Sequence, residues 1–481
     1  MGPWNQLRRT MPVWLAVLLL SAAWAQTPSS ADVPQKPRDQ PAATEAHKIS
    51  PQEAKDLFHQ VDEILRFASQ DTGFPIKHSV KRRLTSRDEV EGFLQKSLSE
   101  DKDAQRLRRS ELVLKKFGLV PRDFDLQKFL VALLKEQVAG YYDPKTKTVN
   151  LLDWIPPVQQ RPVLAHELTH ALQDQSFGLR HFMKDDELAD TDKPVTQADI
   201  EDDEISTARQ AVVEGQAMAV LVDYTLAPSG MSIKDAPQVL ASLKEQMLSD
   251  SDNSPELRSA PTFLREALIF PYNYGLDFTV ALLTAGGKAK AFPNAFTNPP
   301  TSSRQIMEPD TYLSGERIEP LPLPDLAGLF KDYQRFDVGA MGEFDVSVLI
   351  EQYAGKEAAH RLYPHWRGGY YYAAQPKDKP SAPLAILYLS RWSNAEHAAE
   401  FAAIYANSLG KRYEHAHALA EGDKAMQDAP ALVSLTGTHT WQTEEGPVVI
   451  EVKGDMVLVT ESLDKPTTER IEQSLFPVAA K

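Results

Sequence analysis

The sequence predicts an α+β protein: a mainly helical first domain that carries a small edge sheet, followed by a smaller α+β domain. Two observations support this prediction. Helical patterns dominate residues 50–137 and 232–292, whereas short strand-like runs, as in residues 369–373 and 384–389, characterise the later part of the chain. We therefore expect one domain over residues 47–325 and a second over residues 326–481.

The first residues predict export. Two arginines precede an apolar run at residues 11–20, and a small-residue cleavage site ends at Ala25, as in a secretory signal peptide. Residues 1–25 are therefore expected to form the signal peptide, and residues 26–46, rich in Pro, Ala, Ser and Gln, a disordered linker. No later stretch is long and apolar enough to suggest a membrane span.

Composition limits the compartment and the partners. The 481 residues include no cysteine, which excludes disulfides and a cysteine-linked lipid anchor. Such an exported protein suits a bacterial periplasm or exterior better than an animal secretion. The net charge of −15 argues against nucleic acid and anionic membranes as partners. No feature of the sequence indicates an oligomeric state.

The edge sheet is predicted from a hairpin pattern. Residues 138–142 and 148–152 are strand-like, and the turn-rich residues 143–147 separate them. Two roles remain open for this hairpin. Its edge can pair with an extended peptide by strand addition, or the hairpin can be purely structural.

The most informative segment follows this hairpin, where residues 166–170 read His-Glu-Leu-Thr-His. On an α-helix, His166 and His170 lie on the same face, so both imidazoles can reach one cation while Glu167 stands beside them. Pro162 is expected in the first helical turn, where proline is favoured. The alternative is a surface helix with two unrelated histidines.

A catalytic zinc ion takes a third protein ligand, for which Glu214 is the best candidate. Residues 207–222 are apolar nearly all round and predict a buried helix, in which a lone carboxylate is costly unless it is paired or bound to metal. Gly215 and Ala217 are small enough for this helix to approach the first closely. A salt bridge from Glu214 to Arg209 or to another basic residue is the alternative.

Acidic residues between the two helices are weaker candidates. Asp202, Asp203 and Glu204 end an acidic stretch that begins at residue 184. A charge cluster at a helix start is usually solvated and suits the helix dipole. The stretch is expected to be a solvated loop, with a mobile lid or a calcium site as alternatives.

Three further residues are candidates for supporting roles. Asp174 shares a helix face with His170 and can accept the second N–H of a ligating histidine. Tyr272 and Tyr274 lie in an aromatic segment led by Pro271, which predicts a turn between two helices that faces a cleft. Either hydroxyl can donate to an oxyanion, and core packing is the alternative for both.

The pattern at residues 166–171, together with Asp174, resembles the active-site helix of the thermolysin-like gluzincins. The resemblance implies a zincin-like fold, Zn²⁺ held by His166, His170 and Glu214, and Glu167 as general base. It covers the two active-site helices only. In thermolysin-like enzymes the spacer before the glutamate is shorter, and an Asn-Glu-x-x-x-Asp pattern surrounds it, whereas here Val213 precedes Glu214 and a methionine replaces the aspartate.

The sequence therefore predicts an exported zinc peptidase, with an endopeptidase favoured and a peptide or protein as substrate. Zinc lowers the pKa of its water toward ~7, Glu167 takes the proton, and the hydroxide attacks a peptide carbonyl. Glu167 then returns the proton to the leaving amine. The alternative is a non-catalytic exported binding or scaffold protein that retains a zincin-like fold.

Overall fold

The computed structural model of this protein describes residues 15–17, 48–92, 101–183, 193–242, 245, 254–419, 425–426 and 432–477. Over these residues the chain is a mixed α+β protein with two sheets, which confirms the predicted class. The predicted linker, and the predicted signal peptide apart from residues 15–17, lie outside this part. No helix within it is long and apolar enough to cross a membrane.

The helices dominate the first two thirds of the chain. The longer ones are Pro51–Thr72, Asp101–Lys116, Leu126–Gln137, Pro157–Phe177, Gln197–Leu226, Thr262–Ala289, Glu343–Ala354, Ala395–Arg412 and Lys465–Leu475. Short helices include Leu179–Phe182, Pro255–Ser259, Ala295–Thr297, Ser303–Met307, Pro309–Leu313, Leu326–Leu329 and Lys356–Leu362. Three helices build the site: the His166 helix (Pro157–Phe177), the Glu214 helix (Gln197–Leu226) and the Tyr272 helix (Thr262–Ala289).

The smaller sheet contains the predicted hairpin. Its strands are β1 (Leu15–Val17), β2 (Lys81–Thr85), β3 (Val138–Asp143) and β4 (Thr148–Leu152), in the order β1-β3-β4-β2. β3 and β4 are antiparallel, β2 runs parallel to β4, and β1, from the predicted signal peptide, pairs antiparallel with the outer edge of β3. β2 interrupts a region for which the sequence predicts helices.

The larger sheet lies in the later part of the chain. Its strands are β5 (Tyr333–Ala340), β6 (Trp366–Pro376), β7 (Ala385–Trp392), β8 (His417–Leu419), β9 (Ala425–Met426), β10 (Gly437–Thr443), β11 (Gly446–Lys453) and β12 (Met456–Glu461). All neighbours pair antiparallel, in the order β5-β6-β7-β12-β11-β10-β8-β9. The hydrophobic core continues between the two predicted domains, since Phe270 packs on Phe344 with ring centroids 4.5 Å apart. The limits of these domains remain predictions.

The His166 helix begins earlier than the sequence suggests. It starts at Pro157, so Pro162 lies inside the helix and not in its first turn. An internal proline leaves the carbonyl four residues back, that of Val158, without its helical partner. Val158 is exposed, so water can satisfy this carbonyl. The helix ends at Gly178, whose φ of 67° is a left-handed conformation that glycine adopts without strain.

The Glu214 and Tyr272 helices touch backbone to backbone. A Cβ atom on Gly215 would lie 2.0 Å from the carbonyl oxygen of Gly275, and one on Gly275 would lie 2.2 Å from that of Ala211. The expectation that Gly215 brings its helix against the His166 helix is therefore wrong, because this glycine faces the Tyr272 helix. The predicted turn at Pro271 is also wrong, since the helix continues through this proline.

We predict that Gly215→Ala lowers the free energy of unfolding by about 3 kcal/mol or more, because overpacking costs roughly 1–3 kcal/mol even where side chains can adjust, and here the obstacle is backbone. Urea unfolding of the folded variant measures this change.

Gly410→Ala is the matched control. Gly410 lies in the helix Ala395–Arg412, and a Cβ atom added there would meet only open space, so alanine should be neutral or stabilise by about 0.5–1 kcal/mol. Equal stability of both variants would contradict the close helix contact.

Candidate metal centre

The three predicted ligands meet at one point. Glu214 Oε2 lies 3.2 Å from His166 Nε2 and 3.4 Å from His170 Nε2, and the two Nε2 atoms are 3.0 Å apart. The imidazole planes are perpendicular. Within the part of the chain that the structure describes, these residues form the one group of three histidine, aspartate or glutamate side chains that could hold a metal ion.

The spacing of these atoms fits a metal ion. With bonds of about 2.0–2.1 Å and tetrahedral angles, ligand atoms lie about 3.3 Å from one another, close to the three distances found. All three side chains are at most 1% exposed. Glu214 Oε2 makes no hydrogen bond of normal geometry although it is buried. Buried polar atoms are usually satisfied, and coordination by a cation would satisfy this one.

Glu167 stands beside this group with one oxygen held and one free. Its Oε2 accepts a hydrogen bond of 2.7 Å from the backbone N–H of Tyr142 in β3. Its Oε1 is buried and has no hydrogen-bond partner among the described residues. Burial raises the pKa of Glu167 to about 8, with the charge of Glu214 adding to the effect. Glu167 thus has a fixed orientation and one oxygen available for a proton.

Without a metal ion, the charges of the ligand side chains must balance one another. Burial alone would raise the pKa of Glu214, but the charge on His170 and the close approach of both imidazoles hold this pKa at about 2. Burial would lower the pKa of His170, but the Glu214 carboxylate outweighs it and raises this pKa to about 9. Burial lowers the pKa of His166. Without metal, a protonated His170 therefore balances an ionised Glu214.

The role predicted for Asp174 is wrong. Its carboxylate accepts hydrogen bonds from the Tyr142 hydroxyl at 2.9 Å and the Leu179 N–H at 3.0 Å, and it pairs with Lys147. The contacts with Tyr142 and Lys147 fasten the edge hairpin to the His166 helix, and none of the three involves an imidazole. Asp174 is too short to reach back one turn to a ring that leans toward the helix N-terminus.

Gln173 takes the place that the sequence assigned to Asp174. Its Oε1 lies 2.9 Å from His170 Nδ1. A longer side chain three positions after a histidine can reach the ring, but a buried glutamine carries no charge signal that marks it in a sequence. His166 Nδ1, by contrast, is buried without a hydrogen-bond partner among the described residues.

The two candidate tyrosines have different surroundings. The ring of Tyr272 stacks near His166, with centroids 6.3 Å apart and planes inclined by 28°. Tyr274 points to another side of the same helix and packs on Phe270, with centroids 5.3 Å apart. Burial raises the pKa of the Tyr274 hydroxyl. The structure therefore brings Tyr272, and not Tyr274, to the centre.

The competing residues are engaged elsewhere. Glu204 accepts hydrogen bonds from the backbone N–H and the hydroxyl of Ser303, at 2.9 and 2.8 Å, and Asp203 accepts one from the Ala340 N–H at 3.1 Å. Both carboxylates are buried, so the expected solvated helix start is wrong. Arg209 donates to the Phe182 carbonyl and is not the partner of Glu214.

Comparison with known proteins adds no family to this picture. No protein-family model, no curated protein and no solved structure matches the chain. Conclusions about function therefore depend on the residues and the geometry of the centre itself.

We predict that Zn²⁺ binding at pH 7 releases close to two protons per ion. His170 is protonated below about pH 9 and must be neutral to bind metal, while Glu167, protonated below about pH 8, ionises beside a dication. The zinc affinity should therefore rise about 100-fold per pH unit between pH 6 and 7, and more gradually above. Calorimetry in buffers of different ionisation enthalpy counts these protons.

The variant Glu167→Gln serves as the control, because glutamine has no proton to lose. It should release close to one proton per ion at the same pH. A wild-type protein whose zinc affinity does not change with pH would contradict the protonation states inferred for His170 and Glu167.

Proposed function

We propose that this protein is an exported, zinc-dependent peptidase with a zincin-like active site. The observation that carries the proposal is the convergence of His166, His170 and Glu214 on one point, with Glu167 held beside them by β3. The resemblance to gluzincins, which implies these three residues as zinc ligands and Glu167 as general base, supports the proposal. The predicted signal peptide supports export.

The ligand set favours zinc in a catalytic role. Two imidazoles and one carboxylate are a known donor set of catalytic zinc, and three protein ligands leave one coordination position open. Structural zinc sites usually fill all four positions with protein groups. Bound here, zinc would supply a Lewis acid for a carbonyl and a water of lowered pKa.

The residues around the ion would divide the remaining work. The Tyr142 N–H fixes Glu167 Oε2, which leaves Oε1 free to take a proton from water and to deliver it to the leaving amine. Tyr272, stacked near His166, is the candidate donor to the oxyanion. The three ligands and Glu167 are at most 1% exposed, and the low local dielectric strengthens each of these electrostatic interactions.

The edge of β3 is the candidate site for substrate alignment. β3 supplies the backbone N–H that holds Glu167, and its outer edge pairs with Leu15–Val17 of the predicted signal peptide. Removal of that peptide would free this edge for an extended substrate strand. Lys147 and the Tyr142 hydroxyl bind Asp174 and would keep the edge in place over the His166 helix.

A binding or scaffold protein is the second candidate, and Glu167 distinguishes the two. A carboxyl group that is buried with one oxygen unsatisfied costs free energy, and holding a metal does not require it. Proton transfer by Glu167 does require such a carboxyl group. We therefore favour the peptidase.

We predict that Glu167→Gln in the mature protein lowers peptide hydrolysis by about 10²–10⁴-fold while zinc is retained, because general acid–base catalysis is worth about that much. A library of quenched fluorescent peptides measures turnover, and elemental analysis measures zinc. Glu214→Ala, as the contrasting variant, should lose both. Full turnover in Glu167→Gln would exclude the proposed mechanism, and no turnover in a zinc-loaded wild type would favour the scaffold.

A second prediction tests the oxyanion donor. Tyr272→Phe should lower kcat by about 10²–10³-fold with little change in KM, as loss of such a donor does. Tyr274→Phe removes the same hydroxyl from the same helix, on a side that packs against Phe270, and should leave kcat unchanged. Equal effects of the two substitutions would show that Tyr272 acts through packing alone.

A further inference from the structure

His170 is connected to a chain of buried amides that ends on backbone carbonyls. Gln173 Nε2 donates to the carbonyl of Val213 at 3.0 Å and to Gln216 Oε1 at 3.1 Å. Gln216 Nε2 in turn donates to the carbonyls of Ala291 and Phe292, at 2.8 and 3.1 Å. Neither glutamine side chain is exposed at all. These contacts join the His166 helix, the Glu214 helix and the segment Lys290–Asn294, and we call them the glutamine relay.

The direction of every hydrogen bond in the relay follows from its far end. Carbonyl oxygens can only accept, so the NH₂ group of Gln216 must face Ala291 and Phe292. Its oxygen then faces Gln173, which must present its own NH₂ group there and to Val213. The oxygen of Gln173 is thereby left for His170 Nδ1, and an oxygen acceptor requires a proton on that nitrogen. A neutral His170 must then have its lone pair on Nε2.

We propose that Gln173 and Gln216 are positioning residues. They hold the proton of neutral His170 on Nδ1, so that Nε2 keeps the lone pair that can bind the metal ion. The inference rests on the metal centre of the proposed function, but not on peptide hydrolysis. Flipping either amide would place two oxygens against each other in a buried site, at a free-energy cost of at least one lost hydrogen bond. His166 Nδ1 has no such partner among the described residues, so the relay acts on one ligand only.

If the relay orients His170, substitutions in it should weaken Zn²⁺ binding. Loss of a group that orients a ligating histidine typically costs 10–100-fold in affinity, so Gln173→Met should weaken Zn²⁺ binding by about that factor. Gln216→Met should also weaken it, but by a smaller factor, because the NH₂ group of Gln173 then keeps only the Val213 carbonyl as its acceptor. The double variant should be no worse than Gln173→Met alone, since Gln216 acts only through Gln173. Competition with a zinc chelator measures all three.

Gln160→Met is the matched control. Gln160 lies on the same helix, is equally buried, and bonds to backbone groups of Leu152 and Ile155. None of these hydrogen bonds involves a candidate metal ligand, so the substitution should lower the melting temperature and leave the zinc affinity unchanged. Equal loss of affinity in Gln160→Met, or wild-type affinity in Gln173→Met, would overturn the proposal. Additive losses in the double variant would remove Gln216 from it.

A second measurement reads the tautomer without any metal. In protein labelled with ¹⁵N-histidine, at a pH where the imidazoles are neutral, two-bond proton–nitrogen correlations show which ring nitrogen bears the proton, and His170→Gln assigns the signal. We expect Nδ1–H in the wild type and a mixture with Nε2–H in Gln173→Met. Nε2–H in the wild type would overturn the relay. This result does not depend on turnover, so the relay and the peptidase can fail separately.

Discussion

The buried carboxylate of Glu214 is the constraint on which the centre depends. Moving an isolated carboxylate into an apolar interior is far too costly to survive without compensation, and this one is 1% exposed on a helix that is buried along most of its length. Its ionic partners among the described residues are two imidazoles, not lysine or arginine. Either a proton on His170 or a dication therefore compensates the charge of Glu214. The two compete, because His170 must lose this proton to bind a metal ion.

The packing around the Glu214 helix keeps that carboxylate in register with the histidines. On one side, Gly215 and Gly275 allow backbone contact with the Tyr272 helix. On another, Gln173 binds the Val213 carbonyl, one residue before the ligand. The helix therefore cannot rotate or slide without breaking a close contact or a buried hydrogen bond. Because interiors are close-packed, the position of one oxygen atom is set by residues on two neighbouring helices.

The sequence predicted those parts of the centre that follow from local periodicity or from charge. The i, i+4 spacing placed His166 and His170 on one face, the cost of a buried charge singled out Glu214, and alternating strands around a turn predicted the β3–β4 hairpin. It did not predict contacts that depend on how helices are arranged in space. Gly215 faces the Tyr272 helix, Pro271 lies within a helix, and Gln173 replaces Asp174 beside His170. The sequence alone does not show which hydrogen-bond partners a buried glutamine has.

The uncharged character of the glutamine relay follows from the charge balance of the centre. Without metal, protonated His170 balances Glu214, and the raised pKa of Glu167 keeps that group neutral. With a dication, neutral His170 and the two carboxylates of Glu214 and Glu167 again give a net charge of zero. A carboxylate in place of Gln173 would leave a net negative charge in a site with almost no access to water, where such a charge is poorly screened. An amide fixes the orientation of His170 and leaves this balance intact in both states.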